Sequence, residues 1–238
     1  MLTTNNICKN YRGRQIVEDV SLYVQRGEAV GVLGPSGAGK TTLFRMLTGV
    51  APPDRGQILL DGVDITQMPQ YERARRGLSY LPQEPSIFKG LTVEQNILMV
   101  LESHVADRAR RRERLDWLLT QFNIMELRHA SAARLSGGER RRCEIARALA
   151  SNPSIILLDE PFTGIDPIAV GDIRAVVRFL TGHGLGVLIT DHNVHDTLGM
   201  VNRAYIVESG RVLMQGTVDA VVSDPMVRRT YLGADFRL

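Results

Sequence analysis

Residues 34–42 have the types and the spacing of a phosphate-binding loop. They fit the pattern of Gly, four residues and Gly-Lys-Ser/Thr, and they read Gly34, Pro35, Ser36, Gly37, Ala38, Gly39, Lys40, Thr41 and Thr42. Glycines let backbone N–H groups approach the phosphate oxygens and face them. Lys40 can neutralise the charge of the β- and γ-phosphates, and the Thr41 hydroxyl can bind Mg²⁺. The stretch therefore predicts a nucleotide phosphate site.

Two carboxylates are placed where they could act on such a phosphate. Asp159 and Glu160 directly follow the apolar run at 155–158, which is typical of a strand buried on both faces of a parallel sheet. At the end of that strand Asp159 can support the Mg²⁺ shell, and Glu160 can orient and polarise an attacking water. The alternative is a pair of acidic residues that only ends a strand. The phosphate loop in the same chain favours the catalytic interpretation.

His192 and Gln83 also follow predicted strands. His192 comes just after the apolar run at 186–190, whereas the other histidines lack such a placement and are predicted on the surface or on helices: His104, His129, His183 and His195. Gln83 lies between Pro82 and Pro85, and the two prolines exclude a helix and predict an exposed connection. Loops that leave strands often carry function. We therefore include both residues in the candidate site.

Two further features each have two interpretations. Leu-Ser-Gly-Gly-Glu at 135–139 contains a capping box, with Ser136 as the N-cap and Glu139 three residues later. It is either a well-capped helix that starts with glycines or a second phosphate site at a helix N-terminus. Tyr11 is either a half-buried loop aromatic or an exposed ring that stacks on a nucleobase.

The composition and charge of the chain limit the classes of protein to which it can belong. The chain has 238 residues, 44% of them apolar, a formal net charge of +3 and two cysteines. It has no apolar run of the roughly 18–20 residues that cross a bilayer, and its first residues do not resemble a signal peptide, so a cytoplasmic protein is expected. Arginines cluster at 73–76, 108–114 and 140–142. We interpret these clusters as solvated helix faces and expect no nucleic-acid partner.

The pattern of elements predicts an α/β protein. Antiparallel strands are expected at 3–9 and 19–25, and a helix at 41–48 follows the phosphate loop. Further strands are predicted at 57–60, 78–81, 155–158, 186–190, 204–207 and 211–214, the last two as a hairpin. Residues 91–150 are predicted to be helical, as are 167–180, 217–222 and 225–231. The helical region is thus inserted into a strand-rich domain.

Together these motifs resemble the nucleotide-binding subunits of ATP-binding cassette (ABC) transporters. The resemblance follows chain order through the phosphate loop, Gln83, residues 135–139, Asp159-Glu160, Asp166 and His192, and it covers nearly the whole chain. It implies an ATPase that uses ATP and Mg²⁺. The implied fold is a P-loop NTPase core, a mixed sheet with a parallel core flanked by helices, plus an N-terminal antiparallel β subdomain and an inserted α-helical subdomain. The implied division of one domain, 1–238, is a core of 1–88 and 151–238 and a helical subdomain of 89–150.

The resemblance also implies roles for individual residues. Tyr11 would stack on adenine, residues 36–42 would hold the phosphates, and Glu160 would be the catalytic base. The Mg²⁺ ligands would be Thr41 and Gln83, with support from Asp159, while His192 would contact the γ-phosphate. The ATP site of a second copy would be completed by Ser136, Gly137 and Gly138. The loop at 163–166 has the aspartate of the family's corresponding loop, as Asp166. A homodimer follows as the working state.

A closer resemblance is to the ATPase subunits of lipopolysaccharide exporters. It rests on residues 80–84, 86–88, 135–149, 189–194 and 231–238, and on the order Asp191-His192-Asn193; in most of the family an Asp follows the histidine instead. It implies docking on two integral-membrane subunits through Phe88 at the cytoplasmic face of the inner membrane. Those subunits, rather than this chain, would bind lipopolysaccharide.

Three alternative functions remain open. The first is the ATPase of a branched-chain amino acid importer, which is similar in size and tends to end near Tyr-Leu-Gly. The second is a non-transport cassette protein of translation or DNA repair. The third is a module that binds ATP without turnover. The presence of Glu160, His192 and Gln83 disfavours the third.

Overall fold

Two β-sheets lie on either side of the helix that follows the phosphate loop. The computed structural model describes residues 1–163, 167–233 and 236. The four-stranded sheet has the order β2-β1-β4-β5, and the six-stranded sheet has the order β10-β9-β3-β8-β7-β6. The strands are β1 Leu2–Tyr11, β2 Arg14–Val24, β3 Ala29–Leu33, β4 Arg55–Leu60, β5 Val63–Asp64, β6 Leu78–Leu81, β7 Ile155–Asp159, β8 Gly186–Thr190, β9 Arg203–Glu208 and β10 Arg211–Thr217.

The described helices surround these sheets. They are α1 Lys40–Thr48, α2 Gln70–Arg75, α3 Val93–His104, α4 Arg108–Gln121, α5 Gly137–Leu149, α6 Pro167–Gly182, α7 Val194–Leu198, α8 Val218–Ser223 and α9 Pro225–Val227, and a π-helical turn follows at Arg228–Leu232. The predicted α/β class and nearly all predicted elements are confirmed. The short elements β5, α2 and α7 were not predicted. Among the described residues no helix has the length and apolar character needed to span a membrane.

The six-stranded sheet has the parallel core that the sequence predicts. Strands β6, β7, β8, β3 and β9 run parallel, and only β10 is antiparallel to its neighbour. Every residue of β3, β7 and β8 is buried, as expected for strands that are covered on both faces. Because parallel strands end at the same edge, the segments after β3, β7 and β8 meet there. Such an edge is where open α/β sheets place ligands.

Helix α1 is packed between the two sheets. Phe44 and Leu47 are fully buried, and they share one core with Ile7 of the antiparallel sheet and Val32 of the parallel sheet. Burial of side chains of this size stabilises the fold by about 1.5–3 kcal/mol each. The position of the phosphate loop therefore depends on both sheets.

The region from α3 to α5 is helical, and its caps are those the sequence predicts. Thr92 caps α3 in a capping box with Gln95, and Ser136 caps α5 in a capping box with Glu139. Leu101 of α3, Leu118 of α4 and Ile145 of α5 are buried in the same apolar core as the sheet strands. The helical region is thus packed on the sheet rather than tethered to it.

Two arginines contradict the prediction of solvated helix faces. Arg73 is 1% exposed and Arg141 is 6% exposed. The Arg73 guanidinium donates hydrogen bonds to the carbonyls of Met46, Leu47, Thr66 and Met68. Burial lowers its pKa to about 10. The last carbonyls of a helix need donors, and Arg73 supplies them to α1; charge clustering in sequence does not reveal this use.

Candidate functional site

The phosphate loop leaves β3 in a conformation that requires its glycines. Gly34 has a φ of 155°, and a Cβ there would lie 2.0 Å from the carbonyl oxygen of Val207. Gly39 has a φ of 103° and caps α1 without a side-chain hydrogen bond. The first turn of α1 contains no acidic residue. Among the described residues no side chain caps the N-terminus of α1, so its first N–H groups can receive an anion.

An open cleft of about 490 Å³ surrounds this loop. It is lined by every predicted loop residue and by residues from four other parts of the chain, namely Arg14, Ile16, Glu160, His192 and Tyr231. Glu160 follows β7 and His192 follows β8, so the edge of the parallel sheet brings both to the loop. The structure thus places the phosphate loop, Glu160 and His192 around one cleft.

Lys40 is folded onto its own loop. Its Nζ donates hydrogen bonds to the carbonyl oxygens of Gly34 at 2.6 Å and Pro35 at 2.9 Å. Burial lowers the pKa of Lys40, while the charges of Glu160, Asp159 and Asp191 raise it. The ammonium group therefore lies in a field of carboxylates that attracts it, at a position where phosphate oxygens could replace the carbonyls.

Glu160 is held by side chains from three segments. Its Oε2 accepts hydrogen bonds from Gln83 Nε2 at 2.7 Å and from Thr163 Oγ1 at 3.0 Å, and His192 Nδ1 lies 3.5 Å away. The backbone of Glu160 has a φ of 43°, and its N–H donates to the Thr190 carbonyl at 2.7 Å. A non-glycine residue in this left-handed region costs about 1–3 kcal/mol. The Glu160 carboxylate is thus positioned at the cleft by a strained backbone conformation.

The residues predicted to bind Mg²⁺ offer a suitable donor set. Asp159 is buried and accepts a hydrogen bond from the Tyr80 hydroxyl at 3.0 Å; burial raises the pKa of its carboxyl. Among the described residues no Lys or Arg forms an ion pair with it. Thr41 lines the cleft and Gln83 contacts Glu160. Hydroxyl, amide and carboxylate oxygens are hard ligands that suit Mg²⁺, so these residues fit the ion.

The glycine pair at the start of α5 does not reach the cleft of its own chain. Ser136 and Gly137 are exposed, and they and Gly138 are absent from the residues that line the cleft. Gly137 instead borders a small separate cavity of about 100 Å³ beside Gln83. Within one chain these residues serve as the capping box of α5. Any phosphate they bind therefore lies outside the site of the same chain.

Two other candidate residues, Tyr11 and Phe88, are not among those that line the cleft. Tyr11 ends β1, is exposed, and has Lys9 Nζ at 5.6 Å from its ring centre. Phe88 is exposed on the segment after Gln83, and the Arg147 guanidinium lies 5.1 Å from its ring centre. Asp166 lies outside the described residues.

Sequence reasoning missed several residues around the site. Arg14, Ile16 and Tyr231 line the cleft, and Tyr80 bonds Asp159. Arg14 follows the turn beside Tyr11, and Tyr80 lies three residues before Gln83, so proximity in sequence to predicted residues could have signalled both. Tyr231 comes from the far end of the chain, and no local pattern indicates its approach.

Comparisons with known proteins agree with this geometry. The sequence profile of the ABC transporter family matches residues 17–163. A probable ABC transporter ATP-binding protein of Azorhizobium caulinodans is 61% identical over all of this chain and 84% of its own length. The lipopolysaccharide export system ATP-binding protein LptB of Escherichia coli K12 is 54% identical over all of this chain and 99% of its own length. Among solved structures, the ADP conformation of MJ1267, an ATP-binding cassette of an ABC transporter, is 29% identical with a TM-score of 0.87 and covers 98% of both chains.

Proposed function

This chain belongs to the ABC transporter family as an ATP-hydrolysing cassette, and from that premise we propose that it powers the extraction of lipopolysaccharide from the inner membrane. The support for hydrolysis is the convergence of Lys40, Glu160 and His192 in one cleft. The support for the substrate is the full-length likeness to a protein named for lipopolysaccharide export. The order Asp191-His192-Asn193 agrees with that likeness.

In the proposed mechanism the loop holds the phosphates of ATP and Glu160 acts on water. Glu160 polarises a water molecule whose oxygen attacks the γ-phosphorus, and the bond to the β–γ bridging oxygen breaks to give ADP and phosphate. Gln83, Thr163 and His192 keep the Glu160 carboxylate in place. Lys40 and the α1 N-terminus stabilise the charge that develops on the phosphate oxygens. Thr41, Gln83 and Asp159 would hold Mg²⁺, which would neutralise phosphate charge.

The working unit in this proposal is a head-to-tail homodimer. Ser136, Gly137 and Gly138 of one copy would cover the phosphates held by the loop of the other, and Asp166 would lie at the same interface. The support is that Ser136 and Gly137 are exposed and that neither they nor Gly138 line the cleft of their own chain. In a twofold dimer, a single interface would complete the ATP sites of both copies.

The dimer would dock on two integral-membrane subunits at the cytoplasmic face of the inner membrane. Phe88 supplies an exposed aromatic ring on the segment after Gln83, and Arg147 of α5 packs on that ring. Aromatic residues of this kind often anchor interfaces. Lipopolysaccharide would contact the membrane subunits, and this chain would contribute ATP turnover.

The substitution Glu160→Gln tests the hydrolytic part. Removing the base should lower the ATPase rate by about 100- to 10,000-fold, while ATP binding is retained because the phosphate loop is unchanged. Glu113→Gln, at an exposed position on α4, is the matched control and should hydrolyse normally. Hydrolysis by Glu160→Gln at the wild-type rate would refute the assignment of the base.

Affinity capture from native membranes tests the transport part. The tagged chain should recover two membrane-spanning subunits together with lipopolysaccharide, detected by mass spectrometry. Recovery of an amino acid permease would instead support the branched-chain importer. Co-sedimentation with ribosomes, or retention on DNA at physiological salt, would support a non-transport role.

A further inference from the structure

Asp191 is a buried carboxylate to which the mechanism above gives no role. It follows β8 directly and is 0% exposed. Its Oδ2 accepts a hydrogen bond from the Phe162 backbone N–H at 3.0 Å, and its Oδ1 accepts one from the Asn193 backbone N–H at 2.8 Å. The two donors belong to different loops. One carboxylate therefore joins the segment after β7 to the segment after β8.

These two loops carry the reacting groups. Phe162 lies two residues after Glu160, and Asn193 is next to His192. His192 Nδ1 lies 3.4 Å from Asp191 Oδ1 and 3.5 Å from Glu160 Oε2. The histidine ring thus has both carboxylates on its Nδ1 side. Loss of either hydrogen bond to Asp191 would therefore change the position of Glu160 relative to His192.

The cost of burying this group argues for a use. A buried carboxylate without a cationic partner is expensive, and among the described residues Asp191 has no ion pair with Lys or Arg, only the contact with His192. Burial raises the pKa of its carboxyl, and the two backbone N–H donors oppose that rise. An apolar residue in this position would leave both N–H groups unpaired, at about 1–3 kcal/mol each. The carboxylate is suited to this junction because it has two acceptor oxygens.

We propose that Asp191 is a positioning residue for ATP hydrolysis, whose two oxygens hold the loop of Glu160 and the loop of His192 in one catalytic arrangement. The inference rests on the hydrolytic part of the proposed function. It assigns no contact between Asp191 and the nucleotide, because Asp191 is absent from the residues that line the cleft. Its effect on rate passes through Glu160 and His192.

The substitution Asp191→Asn tests the hydrogen bonds of Asp191 without changing the size of its side chain. Asparagine has the same shape but only one acceptor oxygen, so one of the two backbone donors faces an NH₂ group. We expect kcat to fall by roughly 10- to 100-fold, the scale of small misplacements of catalytic groups, with the Kd for ATP and the binding stoichiometry unchanged. Asp191→Ser, which retains one acceptor and adds no N–H of its own, should behave in the same way and serves if the asparagine variant does not fold.

The control is Asp64→Asn on the antiparallel sheet. Asp64 also accepts a backbone N–H, from Thr66 at 2.8 Å, and a side-chain donor, Gln57 Nε2, at 2.8 Å, but it is far in the sheet order from the parallel strands. This variant should keep the wild-type kcat. Wild-type kcat in both Asp191 variants, or a loss of ATP-binding stoichiometry in step with kcat, would overturn the proposal.

A double-mutant cycle with His192→Ala completes the test. If Asp191 acts through His192 and Glu160, adding Asp191→Asn to His192→Ala should lower kcat by clearly less than it does in the wild type. Equal factors in both backgrounds would contradict the proposal. Failure of the wild-type protein to hydrolyse ATP would refute the proposed function itself, which distinguishes the two failures.

Discussion

At the scale of single residues, the site is built around three carboxylates, Asp159, Glu160 and Asp191, that form no ion pair with Lys or Arg in the part of the chain that the structure describes. Burial raises the pKa of Asp159 and that of Asp191, and each carboxyl is destabilised further by the charge of Glu160. For Asp159 the hydrogen bond from the Tyr80 hydroxyl and the charges of Arg141 and Arg45 oppose this rise of the pKa. Perturbed groups of this kind are typical of functional sites. The fold therefore gives up stability to keep these charges together.

Asp159→Asn should make the protein more stable and less active. The asparagine oxygen can still accept the Tyr80 hydrogen bond, while the buried charge is removed, so we expect a gain of roughly 0.5–2 kcal/mol, the range of single stabilising changes. The folded-state pKa of Asp159 lies above its ordinary 3.8, so the cost of ionisation is present above the folded pKa. The gain measured by thermal unfolding should be absent below the unfolded pKa, grow as pH rises from there to the folded pKa, and stay constant above it.

The same variant should need more Mg²⁺ for ATP hydrolysis. A variant that is no more stable than the wild type at neutral pH would contradict the view that Asp159 is a charge buried at a cost. A variant with unchanged Mg²⁺ dependence would contradict its placement in the metal site.

At the scale of elements, Arg73 fixes the far end of the phosphate-loop helix. Its guanidinium bonds two carbonyls at the end of α1 and two in the segment before α2. Arg73→Met removes these donors from a fully buried place and leaves the carbonyls unpaired, so we expect a loss of about 2–4 kcal/mol in the free energy of unfolding. Denaturant unfolding measures it.

The control for Arg73 lies three residues away on the same charge cluster. Arg76 is exposed, and Arg76→Met should change stability by less than about 0.5 kcal/mol. Equal effects of the two substitutions would show that the guanidinium of Arg73 has no structural use. Arg73→Lys should fall between them, because an ammonium group cannot reach all four carbonyls at once.

Helix α3 is tied to the segment between α4 and α5 by Glu94 and Arg128. Glu94 Oε2 accepts from Arg128 Nε at 2.7 Å, and this bond lowers the pKa of the Glu94 carboxyl below its ordinary 4.5. When folding lowers the pKa of an acidic group, its stabilisation of the fold is present above the unfolded pKa and is lost as pH falls through the folded pKa. Glu94→Gln should thus cost up to about 1 kcal/mol at neutral pH.

The measurement is the difference in unfolding free energy between wild type and Glu94→Gln across pH. The difference should shrink to near zero once the pH is below the folded pKa of Glu94. A difference that stays constant with pH would mean that the charge of Glu94 is not what holds Arg128.

Local patterns in the sequence predict much of the fold, and the reasons are physical. The capping boxes of Thr92 and Ser136 involve residues three apart, and the buried strands are continuous apolar runs, so both are visible locally. The burial of Arg73 depends on carbonyls that are distant in sequence. Tyr231 enters the cleft from the other end of the chain. Long-range contacts of this kind have no local signature, and the division at 89–150 stays a prediction.

At the scale of the whole molecule, the phosphate loop is predicted to be half of a site. The cleft is open, and the start of α5, which could bind phosphate, does not line it in the same chain. A head-to-tail dimer accounts for both observations. In that arrangement ATP is part of the interface, so binding and assembly are linked.

Gly137→Asp in a Glu160→Gln background tests this directly. Aspartate at the first residue of α5 favours the helix dipole but repels a phosphate brought by another copy. We expect Glu160→Gln alone to form an ATP-dependent dimer in size-exclusion chromatography with light scattering. The double variant should remain a monomer and bind ATP with unchanged Kd, because Gly137 does not line its own cleft. Lys40→Ala in the same background should lose ATP binding and the dimer together. A dimer that survives Gly137→Asp would refute the composite site.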